Sequence, residues 1–192
     1  MGKTAVLIYD GFSNFEISVA LEILALNNKE IVIFSKNKKV VRSEERINVI
    51  PDKDINEIEV DDFDSLLLPG AVDIRNIIED EQIKEFISKF EYKIIGAISI
   101  APILLLKAGI LKDKKFMAGV NKEELYDEGF TFDELIKMKD WNDCVELRSE
   151  MEYIIDGNII TSVAFNFVKF GIQFCKMLGY EANENDFGML IK

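Results

Sequence analysis

The stretch Lys93 to Leu111, KIIGAISIAPILLLKAGIL, constrains the fold more than any other part of the chain. Ile94, Ile95, Ala97 and Ile98 have the density of a buried strand, and from Pro102 the apolar residues Ile103, Leu104, Leu106 and Leu111 take up helical spacing. Proline suits the first turn of a helix, where its missing N–H has no partner to lose. The strand therefore turns sharply into a helix at Ser99 to Ala101, with Ser99 at the tip. In parallel α/β sheets, ligands bind at the carboxyl ends of strands, and a helix start there offers unpaired N–H groups. A site in this chain is expected at Ser99.

The rest of the pattern agrees with a parallel sheet. Ala5 to Tyr9 is a continuous apolar run, as expected of a central strand, and Asp10-Gly11 ends it. Ser13 or Asn14 is placed to cap a helix with an apolar face of Phe15, Val19, Ile23 and Leu26. Ile31 to Phe34 predicts a second strand. Val40-Val41-Arg42 and Ile47 to Ile50 predict a short antiparallel excursion, and Pro51 to Asp64 an acidic surface connection. Leu66-Leu67-Leu68 is another buried strand, closed by Pro69-Gly70-Ala71. Helical spacing follows through Ile74, Ile77 and Ile78, and again from Ile83 to Phe90. Phe116 to Val120 reads as a short strand. Asn121 to Trp141 reads as short helices over the site, and Val145 to Arg148 as a half-exposed strand. Asp156-Gly157 is the turn of a hairpin between Tyr153-Ile154-Ile155 and Asn158 to Thr161, and Phe165 to Leu178 is a final helix. The expected architecture is one α/β domain over 1–192, a parallel-sheet sandwich with helices on both faces and a small antiparallel excursion.

Composition narrows the function. The chain has 192 residues, 48% of them hydrophobic, enough for a full core. Its longest apolar run, Ile94 to Leu106, is shorter than the roughly 20 residues of a membrane span, and no secretory h-region opens the sequence. A soluble, cytoplasmic protein is expected. A formal net charge of −12 works against neutralising nucleic-acid phosphates and against anionic membrane surfaces, which leaves small molecules and proteins as partners. Histidine is absent, so no Ser-His-Asp or Cys-His arrangement can exist within the chain, and the commonest zinc ligand is missing. Two distant cysteines, Cys144 and Cys175, suggest buried thiols and no disulfide framework or metal site. No cofactor and no metal are expected.

Ala97-Ile98-Ser99-Ile100-Ala101-Pro102, followed by Lys107 to Lys112, resembles the nucleophile elbow of the ThiJ/PfpI family, related in fold to the class I glutamine amidotransferases. Asp10-Gly11-Phe12 through Phe15-Glu16-Ile17 resembles the family's first loop and helix, where a glutamate approaches the nucleophile. Leu68-Pro69-Gly70-Ala71 resembles its Pro-Gly-Gly turn, and Asp156 to Ser162 the hairpin before its last helix. The likeness covers nearly the whole chain and implies a flavodoxin-like fold, a homodimer, and a site in which Glu16 stands beside Ser99 with Gly70, Ala71 and Ile100 as oxyanion donors. The family usually has cysteine at Ser99 and very often histidine at Ile100. Val163-Ala164-Phe165 also departs from the Gly-rich continuation of many members.

Ser99 has two readings, a helix-capping residue in a turn that needs a small side chain, or a nucleophile with Glu16 as its base. Glu16 itself suits either a helix's first turn or a buried site where its pKa rises toward neutrality. Two functions follow. The pocket of Glu16, Gly70, Ala71, Ser99 and Ile100 either holds a small carbonyl or carboxylate metabolite without turnover, as a binding or regulatory pseudoenzyme, or performs hydrolase or glyoxalase/deglycase-like chemistry through Ser99. A third reading takes Ser99 as an engineered replacement of a natural cysteine, and the native protein is then a candidate thiol enzyme or oxidation sensor. A surplus of phenylalanine, 14 residues, agrees with homodimerisation.

Overall fold

A computed structural model of the protein describes residues 2–148 and 150–187. β1 (Lys3–Leu7), α1 (Phe15–Leu26) and β2 (Ile31–Ser35) open the chain. The hairpin of β3 (Val41–Arg42) and β4 (Asn48–Val49) follows, then β5 (Lys53–Asp54) and two single-turn 3-10 segments that lead into β6 (Phe63–Leu68). Next come α2 (Glu81–Ser88), β7 (Ile94–Ile98) and α3 (Pro102–Lys107). β8 (Phe116–Met117), α4 (Lys122–Asp127), α5 (Phe132–Leu135), β9 (Met138–Lys139) and α6 (Trp141–Glu146) form a compact insertion. The hairpin of β10 (Ile154–Asp156) and β11 (Ile159–Ser162) precedes α7 (Phe167–Met177).

Seven strands form one sheet in the order β10-β11-β7-β6-β1-β2-β5, parallel throughout except for the β10 edge. Ala5, Val6, Leu7, Leu66, Leu67 and Leu68 have no exposure at all, as expected where helices cover both faces of a parallel sheet. α1 packs on α7 and α2 on α3. From β1 the chain moves to β2 on one side, whereas β6 and β7 lie on the other. Right-handed crossovers in opposite directions place their helices on opposite faces and open a crevice at the carboxyl ends of β1 and β6. Among the described residues, no helix is long and apolar enough to cross a membrane.

Several elements differ from the sequence reading, each for a local reason. α1 starts where expected, but neither Ser13 nor Asn14 caps it; the Glu45 carboxylate reaches from the β3–β4 hairpin and accepts the N–H groups of Asn14 and Phe15 at 3.2 and 2.9 Å. Its buried face runs through Glu16, Ile17, Val19, Ala20, Ile23 and Leu24, so Phe15 and Leu26 are exposed. The residues around Ile74, Ile77 and Ile78 bury their side chains from turns, and no helix forms before Asp80 caps α2. Within the acidic connection, Lys53-Asp54 adds an edge strand to β2. Val145 to Arg148 is not a strand: Asp140 and Asp143 form a capping box that starts α6, which carries the chain through Glu146.

α1 and α7 approach closely because residue 171 is glycine. A Cβ there would sit 2.8 Å from the backbone nitrogen of Ala20 and 3.1 Å from the Val19 side chain. Gly171→Ala is expected to lower unfolding free energy by about 1–3 kcal/mol through overpacking, measured by urea denaturation, with an unchanged m-value.

Candidate functional site

Ser99 ends β7 with φ +63°, in the left-handed region that non-glycine residues rarely occupy. Such a conformation costs about 1–2 kcal/mol and persists where neighbours over-determine it. Here they do. The Ser99 N–H donates to the Ser162 carbonyl at 2.8 Å, and the Ser99 carbonyl accepts the Gly119 N–H at 2.7 Å. Pro102 opens α3 immediately afterwards, so the chain makes the strand-to-helix turn that lifts the Ser99 hydroxyl clear of the sheet.

Glu16, in the first turn of α1, lies beside it. It is only 2% exposed, unusual for a carboxyl group without a cation. Its Oε2 accepts the Gly70 N–H at 2.7 Å, and the carboxyl also hydrogen-bonds the Ser99 side chain. Burial pushes the Glu16 pKa up to about 7, against the opposing pull of those two hydrogen bonds; Glu44 and Glu45 add to the rise. Near neutrality the group therefore exchanges between a carboxylate that accepts from Ser99 and an acid that can donate to it.

The 69–71 turn is fixed from three sides. The Tyr9 hydroxyl donates to the Pro69 carbonyl, the Ser13 N–H donates to the Gly70 carbonyl at 2.8 Å, and Phe12 bridges Ala71 in antiparallel fashion. Residue 70 must be glycine. A Cβ would overlap the Cβ of Ser99 and come within 2.5 Å of Glu16 Oε2 and 2.8 Å of Ser99 Oγ. The sequence reading gave Gly70, Ala71 and Ile100 one shared role as oxyanion donors, but the Gly70 N–H is engaged by Glu16. The N–H groups of Ala71 and Ile100 have no protein acceptor among the described residues.

A cavity of about 390 Å³ opens in front of Ser99, lined by Ala71, Ile100, Gly119, Val120, Glu124 and Trp141 among others. Glu16 and Gly70 lie behind Ser99 and do not line it. Gly119 leaves the hydroxyl open, since a Cβ there would stand 3.4 Å from Ser99 Oγ. Cys144 and Cys175 are both buried away from this cavity, and burial pushes each thiol up to about 12.

This arrangement of elbow, carboxyl group and turn can be compared with known proteins. The family model described as DJ-1/PfpI matches residues 2–177. The chain belongs to the DJ-1/PfpI family. Deglycase PfpI of Pyrococcus furiosus is 25% identical over 163 residues, spanning 83% of this chain and 89% of that protein. Protein/nucleic acid deglycase 2 of Escherichia coli is 30% identical over 120 residues, spanning 60% of this chain and 70% of that one. Among solved structures, a DJ-1 superfamily protein from Agrobacterium tumefaciens superposes with a TM-score of 0.79 at 17% identity, covering 98% of this chain and 95% of its own. Drosophila melanogaster DJ-1beta gives 0.73 at 20% identity, with coverages of 98% and 95%. At these identities the solved structures speak for the flavodoxin-like fold alone.

The structure brings Glu16, Ser99 and Gly70 into contact and places Ala71 and Ile100 on the cavity wall. Sequence reasoning missed Gly119, Glu124 and Trp141 as lining residues. The sequence places the 121–141 region over the site as short helices; α5 and α6 are started by capping boxes that apolar periodicity does not reveal, whereas Asn121 makes no side-chain cap at α4. Gly119 carried one usable signal, a small residue directly after a short apolar strand.

The raised Glu16 pKa has a thermodynamic signature. Between the ordinary glutamate value and about 7 the folded protein binds a proton that the unfolded chain releases, so this contribution is complete below the ordinary value and is lost as pH rises toward 7. Stability of the parent relative to Glu16→Gln is expected to fall by on the order of 3 kcal/mol between pH 4.5 and pH 7.5, measured by paired urea titrations. A pH-independent difference would show that Glu16 ionises normally.

Proposed function

We propose that the site binds a small carbonyl metabolite between Ser99 and the N–H groups of Ala71 and Ile100, and that it turns this ligand over negligibly. The observation that carries the reading is the position of Glu16 behind Ser99. In a chain without histidine it is the ionisable group that touches the hydroxyl, yet it does not line the cavity. A proton that Glu16 took from Ser99 would have to be handed to a leaving group in a cavity that Glu16 does not line. Acyl transfer by serine needs a base that also returns the proton as an acid. The carbonyl-binding half asks for much less: a small polar head, two free N–H donors and a cavity of metabolite size.

A second reading, deglycase-like chemistry, draws support from relatives named as deglycases and from a carboxyl group poised near neutrality beside a strained elbow. The two readings separate in one experiment. Trp141 is the single tryptophan of the chain and lines the cavity, so its fluorescence reports occupancy. Titration with small aldehydes such as glyoxal and butanal is expected to change that fluorescence saturably, and Ser99→Ala to weaken binding about threefold to tenfold through the lost hydrogen bond. Aldehyde consumption is expected to stay at the uncatalysed rate. Consumption well above that rate, abolished in Ser99→Ala, would establish the deglycase-like reading.

The elbow's electrostatics are tested separately with Ser99→Cys. Free N–H groups at the start of a helix stabilise a thiolate, so the introduced cysteine is expected to titrate well below the unperturbed value of about 8.5 when followed with a thiol-reactive probe. An ordinary thiol pKa would mean that the turn survives as architecture only.

A further inference from the structure

The cavity at the elbow does not end at Ile100. It adjoins a second one of about 330 Å³ that runs between the 72–78 turns and α4, and Val72, Ile100, Val120 and Glu124 line both. Ile78, Ile103 and Leu125 give this extension an apolar floor. A ligand with its head at Ser99 therefore has a path for a short chain toward α4, and the charges along that path are unbalanced. Arg75 is the cation that lines it, and its guanidinium is held in a fork by Asp73, with Nε 2.9 Å from Oδ1 and Nη2 2.5 Å from Oδ2. Glu128 adds a further attraction to Arg75. Glu124 and Glu128, both exposed, line the extension without an ion pair among the described residues, and Glu124 is the one of the two that also lines the elbow cavity. The Oε1 of Glu124 accepts from Asn121 Nδ2 at 3.3 Å, and the side chain forms no ion pair among the described residues. It is also the one ionisable side chain among the residues that line the elbow cavity, and it stands where the two spaces meet.

We infer that the ligand is a small carbonyl compound that carries a cationic nitrogen a few carbons away, with the carbonyl at Ser99 and the cation at Glu124. This rests on the carbonyl-binding reading above and goes further by fixing the ligand's charge. A carboxylate or phosphate in the same place would meet an uncompensated Glu124, with the one nearby guanidinium already occupied, so the site selects by repulsion as well as attraction. The chain's net charge of −12 works in the same direction, by drawing cations and turning anions away before contact.

Three aldehydes with the same four-carbon skeleton test the assignment by Trp141 fluorescence: 4-trimethylammoniobutanal, butanal and 4-oxobutanoate. The expected order of affinity is cation, neutral, anion, with about a tenfold gap between the first and last at low ionic strength, the size of an attractive and a repulsive exposed charge contact combined. The gap is expected to shrink to about twofold in Glu124→Gln. It should shrink likewise in the parent protein at high salt, a control that does not depend on the variant folding. Equal binding of all three, weakened by Ser99→Ala, would overturn the charge assignment and leave the carbonyl site standing. A preference for the cation that persists in Glu124→Gln would also overturn it. Saturation by none of the three would remove the carbonyl site, and the inference with it.

Discussion

The buried Glu16 carboxyl group is the interaction on which the arrangement at the sheet's carboxyl edge depends. It joins three separate stretches of chain, because it belongs to the helix after β1, accepts from the turn after β6 and hydrogen-bonds the residue at the end of β7. A carboxyl group at 2% exposure is costly to ionise, and two hydrogen bonds offset only part of that cost. The outcome is a group poised between its two forms at neutral pH. Tyr9 reinforces the same balance: its hydroxyl is tied to Pro69, and burial, with a smaller effect of Glu16, raises its pKa well beyond the ordinary value, so it stays neutral and adds no charge nearby.

The strain at Ser99 belongs to the same construction. A left-handed serine is tolerable because the parallel neighbours β6 and β11 hold β7 in register, with Leu68 opposite Ala97 and Ser162 opposite Ile98, so that the carboxyl ends of three strands finish together. Ser162 then supplies the carbonyl that fixes the Ser99 N–H, and Gly119 fixes the Ser99 carbonyl from the insertion. The two anchors come from different parts of the chain. The elbow is therefore a tertiary feature, formed when the sheet and the insertion are both in place, although its local sequence already favours the turn.

Much of this was legible in the sequence, for physical reasons that can be named. Apolar runs as dense as Ala5 to Tyr9 and Leu66 to Leu68 have few alternatives to buried parallel strands, and Pro102 marks the start of α3. Glu16, Gly70 and Ser99 could be grouped because family resemblance supplied the long-range pairing that periodicity does not carry. What stayed hidden depends on contacts between distant residues. The capping of α1 by Glu45 and the helical fate of Val145 are each decided by a pair of side-chain hydrogen bonds, to which hydrophobic spacing is blind. The engagement of the Gly70 N–H by Glu16 is of the same kind, and of the three donors the resemblance implies it leaves the N–H groups of Ala71 and Ile100 without a protein acceptor among the described residues.

Serine at the position where the family resemblance implies cysteine then has a definite physical consequence. A thiol at this elbow would gain from the helix start and the free N–H groups by becoming a thiolate, a state stabilised by the same donors that bind a carbonyl oxygen. A serine hydroxyl remains neutral in that field, so the N–H groups of Ala71 and Ile100 keep their capacity for a ligand oxygen and do not have to compensate a resident charge. The scaffold that would activate a thiol is thus suited, when it carries a hydroxyl, to the binding proposed above. On the binding function proposed above, selectivity would rest on the walls, on Glu124 and the apolar extension beyond Ile100.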